Sequence, residues 1–180
     1  MRKLTLFAAC AMLAAVTQAA QVGWTLAGAT AYANDAYQFF VIGQNEATSI
    51  ATITALLDAG TSVDSYAFGS GTIAANGAAN VVATASGKTL DAGTYTGFFV
   101  VYDSATPTAG STKYAVVSGA TGLTKTIAAT TATVAFAGGN ASSTLNDSSN
   151  WNSFGDVPEP TSGLLLLMGV GLLGLRRKQK

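Results

Sequence analysis

The sequence predicts an all-β fold, a β-sandwich or a barrel-like closure, with one short helix at about residues 46–59. Three observations carry this expectation. The stretch from residue 20 to 136 is rich in Ala, Gly, Thr, Ser and Val, a mixture of β-branched residues and turn formers that favours many short strands. Its apolar runs are short and separated by turn chemistry, notably Ala75-Asn76-Gly77 and Ser86-Gly87-Lys88. Only one stretch carries helical spacing, too little helix for a parallel α/β alternative.

In chain order, Val22 to Leu26 and Ala36 to Ile42 read as strands, the second largely buried because Phe39, Phe40, Val41 and Ile42 are consecutive. Residues 46–59 follow as the helix: Ile50, Ile53, Leu56 and Leu57 recur at helical spacing, Asn45 is placed to cap the start and Gly60 to end it. Further strands are expected at Asp64 to Phe68, Gly71 to Ala74, Asn80 to Ala85, Gly93 to Tyr102, Lys113 to Ser118, Thr121 to Ile127 and Thr131 to Phe136. Phe98 to Val101 form a continuous apolar run and belong in the core. Residues 137–156 are dominated by Gly, Asn, Ser and Thr, a composition expected of a polar spacer. Trp151 and Phe154 would dock its end on the body or sit near a membrane interface. The pentapeptide Leu-Asp-Ala-Gly-Thr occurs at 57–61 and at 90–94, but without a third copy it does not make a repeat.

Both ends of the sequence read as addresses. Met1-Arg2-Lys3, an apolar run from Leu4 to Val16 and the small-x-small Thr17-Gln18-Ala19 form a secretory signal helix, residues 1–19, with signal peptidase cutting after Ala19 or alternatively after Ala20. At the other end stand Pro158-Glu159-Pro160, an uncharged apolar stretch to Leu175, and Arg176-Arg177-Lys178-Gln179-Lys180. The prolines favour an extended segment that a protease cleft can read. A helix over 163–175 rises roughly 20 Å against a ~30 Å hydrocarbon core, which makes it a provisional transmembrane anchor. The basic tail belongs on the cytoplasmic side. The organisation expected is therefore a signal peptide (1–19), a β-rich body (20–136), a spacer (137–156) and a C-terminal segment (157–180).

Removing both addresses changes the charge. Between residues 20 and 157 eight acids face only Lys88, Lys113 and Lys125, about −5 net. Such a body has no electrostatic footprint for nucleic acid or for an anionic membrane surface. Cys10 is the only cysteine and there is no histidine. Disulfides, Cys or His zinc sites and Ser-His-Asp chemistry are therefore not expected, and no metal, cofactor or catalytic residue is assigned.

The residues of 157–180 resemble the PEP-CTERM sorting signal. That resemblance implies an exported protein handled by an exosortase-type membrane protease, with Pro158, Glu159, Pro160, Arg176, Arg177 and Lys178 as the sorting residues. It also implies association with the cell envelope through the C-terminal segment, then the cell surface or the exterior after processing. Within the body, Asp91-Ala92-Gly93-Thr94-Tyr95 resembles the tyrosine corner of immunoglobulin-like sandwiches, although Gly97 stands where those domains have their second cysteine. An Asp-Gly turn feeding a buried strand is the alternative. The function expected is a non-enzymatic surface or extracellular-matrix protein, with extracellular polysaccharide as a candidate partner. The alternative is a carbohydrate-binding or adhesin-like sandwich using Trp24, Tyr32, Tyr37 or Tyr66 as stacking rings. A third expectation, an enzyme built on Asp58 with Asp64 or Asp91 with Asp103, requires carboxylates about 5–9.5 Å apart.

Overall fold

A computed structural model describes residues 19–43, 49–107 and 111–155. Two sheets face each other, and a helix covers the outer side of the second. The first sheet is built on β1 (Ala20–Ala27). One edge of β1 pairs antiparallel with β4 (Ala79–Val81) and β5 (Thr89–Leu90), and the other pairs parallel with β9 (Thr133–Asn140). The second sheet runs β10 (Trp151–Ser153), β7 (Lys113–Val117), β6 (Gly93–Tyr102), β2 (Ala36–Ile42), β3 (Gly69–Thr72), with β8 (Thr124–Ile127) pairing the first half of β6. The sheets do not close into a barrel. The expected signal helix (1–19), apart from Ala19, and the expected hydrophobic helix (163–175) lie outside the described residues.

The second sheet is buried on both faces, which explains its uninterrupted apolar runs. On its inner face Phe39, Phe99 and Val101 meet Val22, Trp24, Leu26 and Phe136 of the first sheet. On its outer face Phe40, Phe98 and Val100 pack against Ile53 and Leu57 of α1 (Ile50–Asp58) and against Val63. Phe39 is the hub of the inner core, with ring centroids 4.9 Å from Phe99, 5.2 Å from Trp24 and 5.5 Å from Phe136. The register places Phe39 opposite Phe99 and Phe40 opposite Phe98, and the outer pair stacks at 5.0 Å. Cross-strand aromatic pairs of this kind tie register to packing.

The helix starts later than expected. Ser49, not Asn45, is the cap: its hydroxyl accepts from the Thr52 N–H at 3.1 Å, and Asn45 lies outside the described residues. Gly60 ends the helix as expected, with φ +68°. Its N–H donates to the Leu57 carbonyl and that of Thr61 to the Leu56 carbonyl, the bond pair of a Schellman motif.

Several expected strands are displaced. Asp64 to Phe68 is a turn, because this segment carries the chain from the helix layer over the sheet edge to β3, and Tyr66 and Ala67 bond back to Val63 and Asp64. The β3 strand begins two residues earlier than expected. The stretch from Asn80 divides into β4 and the short helix α2 (Ala83–Ser86), closed by Gly87 at φ +67°. Residues Thr121–Leu123 form a 3₁₀ turn before β8.

The larger correction concerns 137–155. The expected spacer is part of the fold: β9 continues to Asn140, α3 (Ser142–Leu145) buries Leu145, and β10 pairs with β7. Its small and polar residues serve close packing and turns here. The tyrosine-corner resemblance also fails in its defining bond, since among the described residues the Tyr95 hydroxyl makes no hydrogen bond to the upstream backbone. A Cβ at Gly97 would stand 2.7 Å from the Phe39 ring, so aromatic rings occupy the space a cysteine would need.

Replacing Phe99 by Ala should lower stability by about 3–5 kcal/mol, measured as a lower denaturant midpoint with an unchanged slope. A midpoint close to wild type would show that the two sheets do not depend on this ring.

Candidate functional site

Polar chemistry among the described residues gathers in two places. The first lies between the second sheet and α1. Gln38, 1% exposed, is the only buried amide in β2, and a two-sided buried strand leaves it no water. The Tyr102 hydroxyl donates to Gln38 Oε1 at 2.5 Å, and Gln38 Nε2 donates to Asp64 Oδ1 at 2.6 Å. Beside it the Tyr114 hydroxyl donates to Asp58 Oδ1 at 2.6 Å. Tyr102 and Tyr114 face each other in the β6–β7 register, so at the end of one strand pair Tyr114 bonds one carboxylate directly and Tyr102 reaches the other through Gln38. Burial, with the charge of Asp64, pushes the Tyr102 hydroxyl pKa up. Burial, with the hydrogen bond and charge of Asp58 and the nearby Tyr102, does the same for Tyr114. Each carboxylate is engaged by a buried donor, so the arrangement orients α1 and the turn after it.

The second place is a shallow cleft of about 240 Å³ lined by Tyr32, Asp103, Lys113, Leu145, Asn146, Ser148 and Trp151. The Tyr32 hydroxyl and Trp151 Nε1 both donate to the Leu145 carbonyl, each at 2.8 Å, and the two half-buried rings lie 4.8 Å apart at 30°. One carbonyl thus sets the positions of both rings. Asp103 accepts from the Thr112 N–H at 2.8 Å, the Thr112 hydroxyl at 2.5 Å and the Lys113 N–H at 3.0 Å. Partial burial opposes its charge, but these hydrogen bonds outweigh burial and hold its pKa below the ordinary value. Asp35 is shifted the other way, by burial and then by the charge of Asp103. The cleft therefore offers an anchored aromatic pair rimmed by an ionised carboxylate, an ammonium, an amide and a hydroxyl.

The residues expected to stack on sugars divide. Trp24 (3% exposed) and Tyr37 (2%) belong to the inner core, with Trp24 Nε1 donating to the Tyr37 hydroxyl at 3.2 Å, and cannot form a surface platform. Tyr66 is half-buried against the outer core. Tyr32 sits half-buried at a cleft with a second half-buried ring, and that partner, Trp151, comes from the segment expected as spacer. Sequence reading named Trp151 as a docking residue and missed its pairing with Tyr32, since 119 positions separate them. A larger open cleft of about 390 Å³, lined by Trp24, Asp64, Phe68, Ser70 and Lys88 among others, has Lys88 Nζ 6.0 Å from the Phe68 ring centroid.

The acid pairs divide as well. Asp91 precedes and Asp103 follows the ten-residue β6, which separates them by roughly 33 Å, so they do not form a pair. Asp58 and Asp64 are each already hydrogen-bonded, Asp58 by the Tyr114 hydroxyl and Asp64 by the Gln38 amide. Ala19 precedes β1, and Ala20 is its first residue, 0% exposed and opposite Leu90. A cut after Ala19 leaves β1 whole, whereas a cut after Ala20 removes a buried strand residue. Pro158, Glu159, Pro160, Arg176, Arg177 and Lys178 lie outside the described residues. Among the described residues no helix is long and apolar enough to cross a membrane.

The raised tyrosine values give a signed pH dependence. In the unfolded chain both hydroxyls ionise near pH 10 while the folded chain keeps them protonated. The stability they contribute is complete below about pH 10 and is lost as pH rises further. Urea midpoints from about pH 8 to about pH 11 should fall for the wild type, and Tyr102→Phe together with Tyr114→Phe should flatten that fall while lowering the neutral-pH midpoint. An unchanged alkaline limb would contradict the assignment.

Residues 156–179 match the family model of the PEP-CTERM protein-sorting motif. No curated protein and no solved structure matches the chain. The chain is therefore an exported, exosortase-targeted protein by its PEP-CTERM motif, carrying a two-sheet body to which no family is assigned.

Proposed function

We propose that this is a non-enzymatic surface or extracellular-matrix protein, delivered to the cell envelope through the PEP-CTERM route and displayed there as a compact β-rich body. The observation that carries this reading is the match at 156–179 directly after a body whose last described residue, Gly155, is still bonded to it. The engagement of Asp58, Asp64 and Asp103 in internal hydrogen bonds supports a structural role for these acids. A body that carries about −5 charge favours solubility outside the cell over adhesion to an anionic membrane.

The Tyr32–Trp151 cleft favours a second reading, that the body binds carbohydrate. Sugars present C–H faces to aromatic rings and hydroxyls to planar polar groups, and this cleft supplies both kinds of surface. Its size suits one or two sugar rings better than a long chain.

Recovered from the envelope and the medium of its host, the protein should have an intact mass that begins at Ala20 or Gln21 and ends near Pro158 to Pro160. A species that keeps Arg176 to Lys180 in the membrane fraction would overturn processing by this route. For the second reading, cellotetraose and chitotetraose should quench Trp151 fluorescence saturably, with Asn146→Ala weakening the response. A flat titration with both would remove it.

A further inference from the structure

The segment just before the sorting motif is held by the body at six points. β10 pairs with β7 over Trp151 to Ser153, the Phe154 N–H donates to the Thr112 carbonyl at 2.9 Å, and the Gly155 N–H donates to the Leu57 carbonyl at 3.1 Å. The Phe154 ring packs on the outer core, and Trp151 Nε1 is tied to the Leu145 carbonyl. Gly155 meets Gly60 backbone to backbone: a Cβ on Gly60 would lie 3.3 Å from the Gly155 Cα, and both glycines have positive φ. The end of the described chain is thus seated in the C-terminal turn of α1.

This seat leaves little chain for a protease. Pro158 is three residues beyond Gly155 and Pro160 five, so even fully extended they reach at most about 17 Å from the anchor. A protease that reads an extended segment engages residues on both sides of the cut, in the manner of strand addition. The residues on the N-terminal side are the ones bonded to Thr112 and Leu57. β10 is also a weak holder, a three-residue edge strand with exposed Asn152 at its centre, the kind of element that opens locally before the rest of a domain.

We propose that residues 151–155 form a latch, part of the surface presented to the processing protease, and that they must leave β7 and α1 before the Pro-Glu-Pro element can be cut. The proposal rests on the processing reading given above. When opening is fast relative to cutting, the cutting rate follows the population of the open form, so latch strength sets the rate of maturation. The substrate's own fold then acts on when it is released.

Lys113 and Ser153 are opposed in the β7–β10 register. The neighbouring Phe154–Thr112 bond makes theirs a non-hydrogen-bonded pair, with Cα atoms about 4.5 Å apart, inside the roughly 4.4–6.8 Å range of disulfides. The only native cysteine is Cys10. The full chain with Lys113→Cys and Ser153→Cys, expressed in its host and followed by pulse-chase and terminal peptide mapping, should mature on the order of tenfold more slowly when oxidised. Reductant should restore the wild-type rate. In the oxidised chain, Gly-Ser-Gly-Ser inserted after Gly155 should restore it too, and Phe154→Ala in the unpinned chain should raise it. A pinned chain cut at the wild-type rate, or one that the insertion fails to rescue, overturns the latch while leaving processing intact. A wild-type chain that is never cut near Pro158 to Pro160 overturns both.

Discussion

The contact between Phe39 and its ring neighbours is the constraint on which the rest of the structure depends. Phe39 lies in β2, the strand next to the centre of the second sheet, and touches Phe99 on the adjacent strand, Trp24 on the first sheet, and Phe136 on the strand parallel to it. Burying large rings between sheets gives most of the favourable free energy available to a body without disulfides. It also sets register, because a one-residue slip in β2 would put either the Gln38 amide in place of Phe39 at the inner core or Val41 in place of Phe40 at the outer one, depending on its direction.

That constraint has a polar consequence. A strand buried on both faces has no solvent side on which to place an amide, so Gln38 needs partners within the protein. Tyr102 supplies the donor and Asp64 the acceptor. The carboxylate of Asp58 on Tyr114 extends the same logic to the helix end. The acids Asp58 and Asp64 are held in internal hydrogen bonds that tie the end of α1 and the turn that follows it to the second sheet. The same helix C-terminus receives Gly155, whose N–H donates to the Leu57 carbonyl.

Much of the fold was legible in the sequence where local pattern and tertiary environment agree. β2 and β6 occupy the residues expected, because their long apolar runs fit a two-sided buried strand and nothing else of that length. The Schellman ending at Gly60 was readable from one glycine after a helical period. Short strands of small residues were less readable: β3, β4, β5 and β10 have two to four residues each, and such segments take their conformation from the neighbour they pair with. The polar composition of 137–155 pointed to a spacer, yet Phe136, Leu145 and Trp151 provide enough anchors to hold the intervening Gly, Ser and Asn residues in strands and turns. The Tyr32–Trp151 cleft was not legible at all, since only the return of the chain after β9 brings the two rings to one carbonyl.

By itself the sequence determined the C-terminal sorting motif and the mostly β character of the body, because these depend on local order and on residue types. The tertiary structure decided where each segment pairs, and the repeated pentapeptide demonstrates why. Leu57-Asp58-Ala59-Gly60-Thr61 closes a helix with Gly60 at φ +68°, while Leu90-Asp91-Ala92-Gly93-Thr94 leaves β5 and enters β6 with Gly93 inside the strand. Five identical residues take two conformations because Leu57 fills a space under the helix layer and Leu90 one between the sheets. The free energy of burying those side chains exceeds any preference of the pentapeptide itself.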